Sequence, residues 1–271
     1  MKEKILIYFD TCVLNKLAYI ENYDHILKKL TTYNYKICIS EVNILEILRD
    51  IKDEFNIDKI VTMLQETGEL YLLPSINAII EAFVKKEDIC LELNNMNKVI
   101  MEVLSDKERI FEVKDKQNLY KLRDFYKFFR NTLKTIKKCE GCEEQLCSER
   151  VSYAAKLFAG ILMSYDIYYN ENVKLLKEIN VNSDEELEEY INKNYEYLIE
   201  NDISPFRNMG RMAILQKRTN NGTFNDCIQT VYLDFVDYII SDDEHFKANL
   251  NNCLTFEELM ENINIKIEWQ K

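Results

Sequence analysis

Residues 4–20 read KILIYFDTCVLNKLAYI, and the break at Asp10 decides how the chain is to be read. Lys4 to Phe9 is a short apolar run, β-branched and aromatic, bounded by polar residues, which predicts a buried strand. Asp10-Thr11 then opens a helical spacing with apolar residues at Val13, Leu14, Leu17 and Ile20. Outward from this unit the pattern repeats. Tyr35 to Ile39 (YKICI) predicts a second strand, and Ser40 an N-cap for a helix carrying Val42, Ile44, Leu45 and Leu48. A further helix over Asp58 to Thr67 ends at Gly68, and Glu69 to Leu73 (ELYLL) predicts a third strand. Strands separated by helical crossovers imply a parallel sheet covered by helices, an α/β fold.

The two prolines, Pro74 and Pro205, bracket a different segment. Residues 75–204 show helical periodicity and no convincing strand. After Pro205 the αβ pattern returns, with a helix over Asp226 to Phe235, a strand over Tyr238 to Ser241, and a last strand expected over Ile263 to Trp269. The simplest organisation is one α/β domain, residues 1–74 plus 205–271, interrupted by a mostly α-helical insertion, residues 75–204. Two consecutive domains is the weaker alternative, because the N-terminal half lacks the strand partners that the C-terminal piece offers. No internal repeat is visible.

Composition limits the function classes. With 271 residues there is ample apolar surface for a core, and 5 Gly with 2 Pro argue against a turn-rich all-β protein. The 35 basic against 47 acidic side chains give a net charge of −12, which disfavours a generic electrostatic binder of nucleic acid. The start, MKEKILIYFDTC, has no apolar signal region, and the most apolar stretch, Leu157 to Tyr165, is too short to span a bilayer. The expectation is a cytoplasmic protein without a membrane partner. Its 8 cysteines then read as free thiols, several at apolar positions (Cys38, Cys90, Cys227).

In a parallel α/β sheet, ligands gather beyond the carboxyl ends of the strands. Asp10 follows the first strand, Glu46 lies on the helix after the second, Asp226 opens the helix after the insertion, and Asp242 and Asp243 follow the YIIS strand. Each has a bland account. Asp10 and Asp226 read as helix caps, Glu46 as an exposed helix residue, Asp242-Asp243 as a strand-ending turn. Together they would form a self-repelling cluster unless cations occupied it, and oxygen-only ligation suits Mg²⁺ or Mn²⁺. Asp237 is better read as a turn residue that starts the YIIS strand, directed away from the site.

The pieces IYFDTCVL, ISEVNILEIL, GTFNDCIQTVYL and DYIISDDEHF resemble, in order, the motifs of the PIN-domain (PilT N-terminus) nucleases. The resemblance covers about residues 3–74 and 206–269 and implies a three-layer, parallel-sheet domain that hydrolyses phosphodiesters, usually of RNA. It implies metal ligands at Asp10, Glu46, Asp226 and Asp243, with Asp242 as a neighbour, holding one or two Mg²⁺ or Mn²⁺ ions. Products would carry 5′-phosphate and 3′-hydroxyl ends. Thr11 or Ser40 would orient a carboxylate or a bound water, and Arg207, Arg211, Lys217 and Arg218 would hold the flanking backbone. Many small relatives are toxins restrained by an antitoxin, so a toxin or defence role, with an antitoxin or regulatory partner and homo-oligomers, belongs to the expectation. The long insertion departs from the family pattern. Its role in substrate selection, regulation or partner binding is not inherited.

Other constellations weigh less. Lys114 to Lys138 interleaves nine basic residues with aromatics, a solvated helix face or a track for single-stranded nucleic acid. Cys139, Cys142 and Cys147 form a C-x₂-C-x₄-C cluster without a local fourth ligand, so free thiols are the default and structural Zn²⁺ the alternative. Of the two histidines, His25 and His245, neither lies in a nucleophile motif, and no phosphate-binding glycine string exists. Two readings compete with the endoribonuclease: a catalytically silent scaffold of the same fold that binds a protein or RNA, and a nuclease acting on DNA.

Overall fold

The computed structural model describes residues 4–40, 42–43, 46–47, 59–60, 62–64, 66–67, 70–74, 78–79, 82, 150–156, 183, 185–186, 189, 193, 204–215 and 223–267. The chain divides into two compact units. Described residues up to 73 and from 235 to 267 belong to the first; those of 74–82 and 150–234 belong to the second. Most of the expected helical insertion lies outside the described residues, as do Lys114 to Lys138, Cys90, Cys139, Cys142, Cys147, Lys217 and Arg218.

The first unit is built on five parallel strands: β1 (Ile5–Phe9), β2 (Tyr35–Ile39), β3 (Leu70–Leu72), β4 (Tyr238–Ile240) and β5 (Cys253–Leu254). Their order in the sheet is β3-β2-β1-β4-β5, with Ile5 opposite Tyr35, Ile7 opposite Tyr238, Ile37 opposite Leu70 and Ile239 opposite Cys253. The expected α/β class with a parallel sheet is therefore present. β1 is central because it is apolar on both faces. Ile7, Tyr8 and Phe9 are all fully buried, as a strand covered on both sides requires. Ile7 and Phe9 belong to one apolar cluster with Val13, Leu14 and Leu17 of α1 (Thr11–Ala18) and Ile26, Leu27 and Leu30 of α2 (Tyr23–Thr32). Asn34, at φ 65°, makes the turn from α2 into β2, a conformation that asparagine tolerates better than most residues.

Sequence reading missed α2 and misplaced the last strand. Ile263 to Ile267 is not a strand. α6 (Phe256–Asn262), the last helix of the unit, ends there in a turn with Asn264 at φ 53°, where Ile265 N–H bonds Met260 O and Asn264 N–H bonds Glu261 O. This pairing satisfies the last helical carbonyls and commits the following residues to the helix end. The fifth strand is instead the two-residue Cys253–Leu254, just before α6. A capping box starts that helix: the Thr255 side chain accepts from Glu258 N–H while the Glu258 carboxylate accepts from Thr255 N–H.

In the second unit, α3 (Ser204–Leu215) packs against α4 (Thr223–Gln229) and the 3₁₀ turn Thr230–Asp234. The helix expected over Asp226 to Phe235 thus begins at Thr223 and tightens to 3₁₀ at Thr230. Gly210 of α3 lies against the helical residues 150–156, and a Cβ there would stand 2.6 Å from Ala155 N and 3.0 Å from Val151 O. Both are backbone atoms that cannot rotate aside. Gly210→Ala is expected to destabilise this unit by about 1–3 kcal/mol, read as a lower thermal midpoint. An unchanged midpoint would mean that the helices separate at no cost. No helix among the described residues is long and apolar enough to cross a membrane.

α5 (Glu244–Asn249) follows β4 in the first unit and completes the elements around the carboxyl ends of the strands.

Candidate functional site

The strand order reverses between β1 and β4: from β1 the chain builds toward β2 and β3, and from β4 toward β5 on the other side. Such a switch point opens a crevice beyond the carboxyl ends of its two strands. Asp10 leaves β1 there, and Ser241, Asp242 and Asp243 leave β4.

Asp10 occupies the N-cap position of α1, yet its side chain makes no capping hydrogen bond. Its Oδ2 instead accepts from Ser241 Oγ at 2.7 Å and from Cys12 Sγ at 3.1 Å. The cap reading of Asp10 therefore holds for the backbone and not for the carboxylate, which is turned across to β4. Ser241 is fully buried and its Oγ accepts from Asp243 N–H at 3.1 Å. Asp243 caps α5, Oδ1 accepting from His245 N–H at 2.6 Å. Among the described residues, Asp10 Oδ1 and Asp243 Oδ2 carry no hydrogen bond. Asp242 differs, since Lys16 Nζ holds one oxygen at 2.7 Å and Phe256 N–H the other at 3.0 Å. The hydrogen bond to Asp242 raises the Lys16 pKa, so Lys16 keeps its charge and offsets one carboxylate. Stability from this raised pKa is present below the ordinary lysine value and lost as pH climbs through the higher one.

On the β2 side, Thr11 Oγ1 donates to Glu46 Oε2 at 2.6 Å, and buried Asn43 donates to Thr11 Oγ1 at 3.3 Å and to Phe9 O at 3.0 Å. Ser40 is fully buried, its Oγ 2.9 Å from Tyr8 OH and accepting from Val42 N–H at 3.2 Å. Six expected site residues thus belong to the first unit: Asp10, Thr11, Ser40, Glu46, Asp242 and Asp243. Asp226, half-buried in the first turn of α4, belongs to the second, as do half-buried Arg207 and exposed Arg211 on α3. Asp237 stands just before β4, at the opposite end of the strand, where the turn reading placed it, and its carboxylate accepts from Leu6 N–H at 2.7 Å.

Asn43 is a buried polar residue whose structural importance the sequence did not single out. The signal for Asn43 was its place three residues after Ser40, within reach of the start of that helix, where Ser40 N–H donates to its Oδ1 at 2.9 Å. Ser241 lies in DYIISDDEHF, one of the pieces that carry the resemblance.

The oxygens that carry no hydrogen bond here belong to carboxylates, the donor class that a hard divalent cation prefers. Among the described residues no three of His, Cys, Asp and Glu are gathered so as to enclose a metal ion. Asp10 and Asp243 are linked through Ser241, whose Oγ donates to the Asp10 carboxylate and accepts from Asp243 N–H. Mg²⁺ commonly takes one or two carboxylates and completes its shell from water and substrate phosphates.

Cys12 is half-buried, its Sγ 3.1 Å from Asp10 Oδ2. Burial first, then the charge of Asp10, push its thiol up to about 12. In the folded, EDTA-treated protein at pH 8, iodoacetamide should label Cys12 on the order of a thousand-fold more slowly than in the urea-unfolded chain. Peptide mass spectrometry checks this; equal rates would show an ordinary, accessible thiol.

No protein-family model, curated protein or solved structure matches this chain.

Proposed function

We propose that this protein is a metal-dependent endoribonuclease, with residues 75–204 serving substrate selection, regulation or partner binding. The observation that carries the reading is the carboxylate of Asp10, drawn away from its helix to Ser241 and standing with Asp243 at the sheet's switch point. A stability role would have used Asp10 as the cap of α1; a ligand role uses it as it stands. Asp10 and Asp243 would hold Mg²⁺ or Mn²⁺, with Glu46 directly or through water, and the resemblance adds Asp226. Bound there, the ion would supply polarisation of a phosphodiester and activation of water, so that no histidine or cysteine base is needed. Ser241 would orient the Asp10 carboxylate toward the ion, and Lys16 would limit the local negative charge where a polyanion must approach. Arg207, Arg211, Lys217 and Arg218 would neutralise backbone phosphates. An acidic chain has little general affinity for RNA, which favours a structured or delivered substrate; an antitoxin-restrained toxin or defence effector fits this economy.

The test is cleavage of end-labelled RNA and single-stranded DNA by the full chain with Mn²⁺, with EDTA and Asp226→Asn alongside. Mn²⁺-dependent cutting of RNA, lost in both controls, is the expected result. Preference for DNA would change the substrate. Neither cutting nor Mn²⁺ binding by calorimetry would replace the enzyme with a scaffold of the same fold.

A further inference from the structure

Asn43 is fully buried and its amide can be oriented in only one way. Ser40 N–H, at 2.9 Å, can only donate, so the atom facing it is Oδ1. Phe9 O, at 3.0 Å, can only accept, so the atom facing it is Nδ2. The second Nδ2 proton then points to Thr11 Oγ1 at 3.3 Å. A hydroxyl that accepts from an amide keeps its single proton for another partner, and that partner is Glu46 Oε2 at 2.6 Å, the length of a charge-assisted bond. The same order, amide to hydroxyl to carboxylate, runs on the β4 side from Asp243 N–H through Ser241 Oγ to Asp10 Oδ2. There the backbone supplies the amide. On the β2 side a side chain does, and it is replaceable.

We propose that Asn43 is a positioning residue that acts through Thr11: it directs the Thr11 proton onto Glu46 and so holds Glu46 as an oriented carboxylate ligand for a divalent cation. This rests on the reading of the switch point as a cation site. Deep burial of an asparagine is costly unless its hydrogen bonds are made, and its donors and acceptor all have partners here. Its partners are Phe9 at the end of β1, Thr11 two residues further on and Ser40 directly after β2, so one amide ties the carboxyl ends of two strands to the hydroxyl that bonds Glu46.

The experiment measures Mn²⁺ affinity by calorimetry, with a thermal midpoint for each protein, on the full chain. The variants are Asn43→Asp, Thr11→Val, Thr11→Ser and the Asn43→Asp/Thr11→Val pair. Asn43→Asp keeps the acceptor for Ser40 and deletes the donors to Thr11 and to Phe9 O. Thr11→Val keeps the shape and deletes the hydroxyl. Each is expected to weaken Mn²⁺ binding about ten- to a hundred-fold, as loss of a residue that orients a ligand does. Thr11→Ser should restore wild-type affinity within a few-fold, and the pair should be no worse than the weaker single variant. If Asn43→Asp fails to fold, Thr11→Val and its serine rescue decide the matter alone. Wild-type affinity in folded Thr11→Val, or a pair whose losses multiply, would overturn the positioning role and leave the cation site standing. A wild-type chain that binds no Mn²⁺ would overturn both.

Discussion

Asp10→Asn is expected to lower Mn²⁺-dependent RNA cleavage by about a hundred- to a thousand-fold while leaving the fold intact, the scale seen when one preorganised electrostatic group is removed from an active site. The substitution keeps the volume of a residue only 8% exposed and keeps an oxygen able to accept from Ser241 Oγ. It removes the negative charge and the open carboxylate oxygen. Because the Asp10 side chain makes no capping bond to α1, the helix loses no cap, and the thermal midpoint should move by no more than a few degrees. Asp237→Asn is the matched control. That aspartate sits at the other end of the sheet, on Leu6 N–H, and its replacement should leave cleavage within a few-fold. Initial rates on end-labelled RNA, measured beside circular dichroism melts, separate the cases. Cleavage by Asp10→Asn within three-fold of wild type would remove Asp10 from the site.

Phe9→Ala is expected to cost about 3–5 kcal/mol, the range for truncating a fully buried aromatic side chain. Phe9 ends β1, the central strand of the sheet, and is part of the main apolar cluster with Leu14, Leu17 and Phe256. A domain commonly has only about 5–15 kcal/mol of stability to lose, so the urea midpoint should fall sharply. The loss should reach the site as well, because Phe9 O receives Asn43 Nδ2 and the next residue is Asp10. A cost below about 1 kcal/mol would show that the β1 core packs more loosely than its burial implies.

β1, β2 and the YIIS strand were legible because each is a run of β-branched and aromatic residues ended by a polar residue, and burial on both faces leaves little else for such a run to do. Short Cys253–Leu254 carries no such run and became a strand only because β4 offered it a free edge. INIKIEW alternates as a strand would, but Ile263 and Asn264 were claimed by the end of α6, a local competition that alternation does not reveal. The start of that helix was open to reading in T-F-E-E, the spacing of a capping box.

The acids at the strand ends could be named from the linear chain, because a carboxylate after a buried strand has few places to go. Their roles could not. Asp10, Asp242 and Asp243 look interchangeable in one dimension. The fold commits both oxygens of Asp242 to Lys16 and Phe256 N–H, uses one oxygen of Asp243 as a cap, and turns Asp10 onto Ser241. Those partners are far apart in the chain: 226 residues separate Lys16 from Asp242, and 231 separate Asp10 from Ser241. The sequence by itself determined which residues are apolar enough to form the sheet and which acids end its strands. The tertiary structure decided what each acid does, because hydrogen-bond capacity is allotted among neighbours in space, and parallel pairing of β1 with β4 is what makes those residues neighbours.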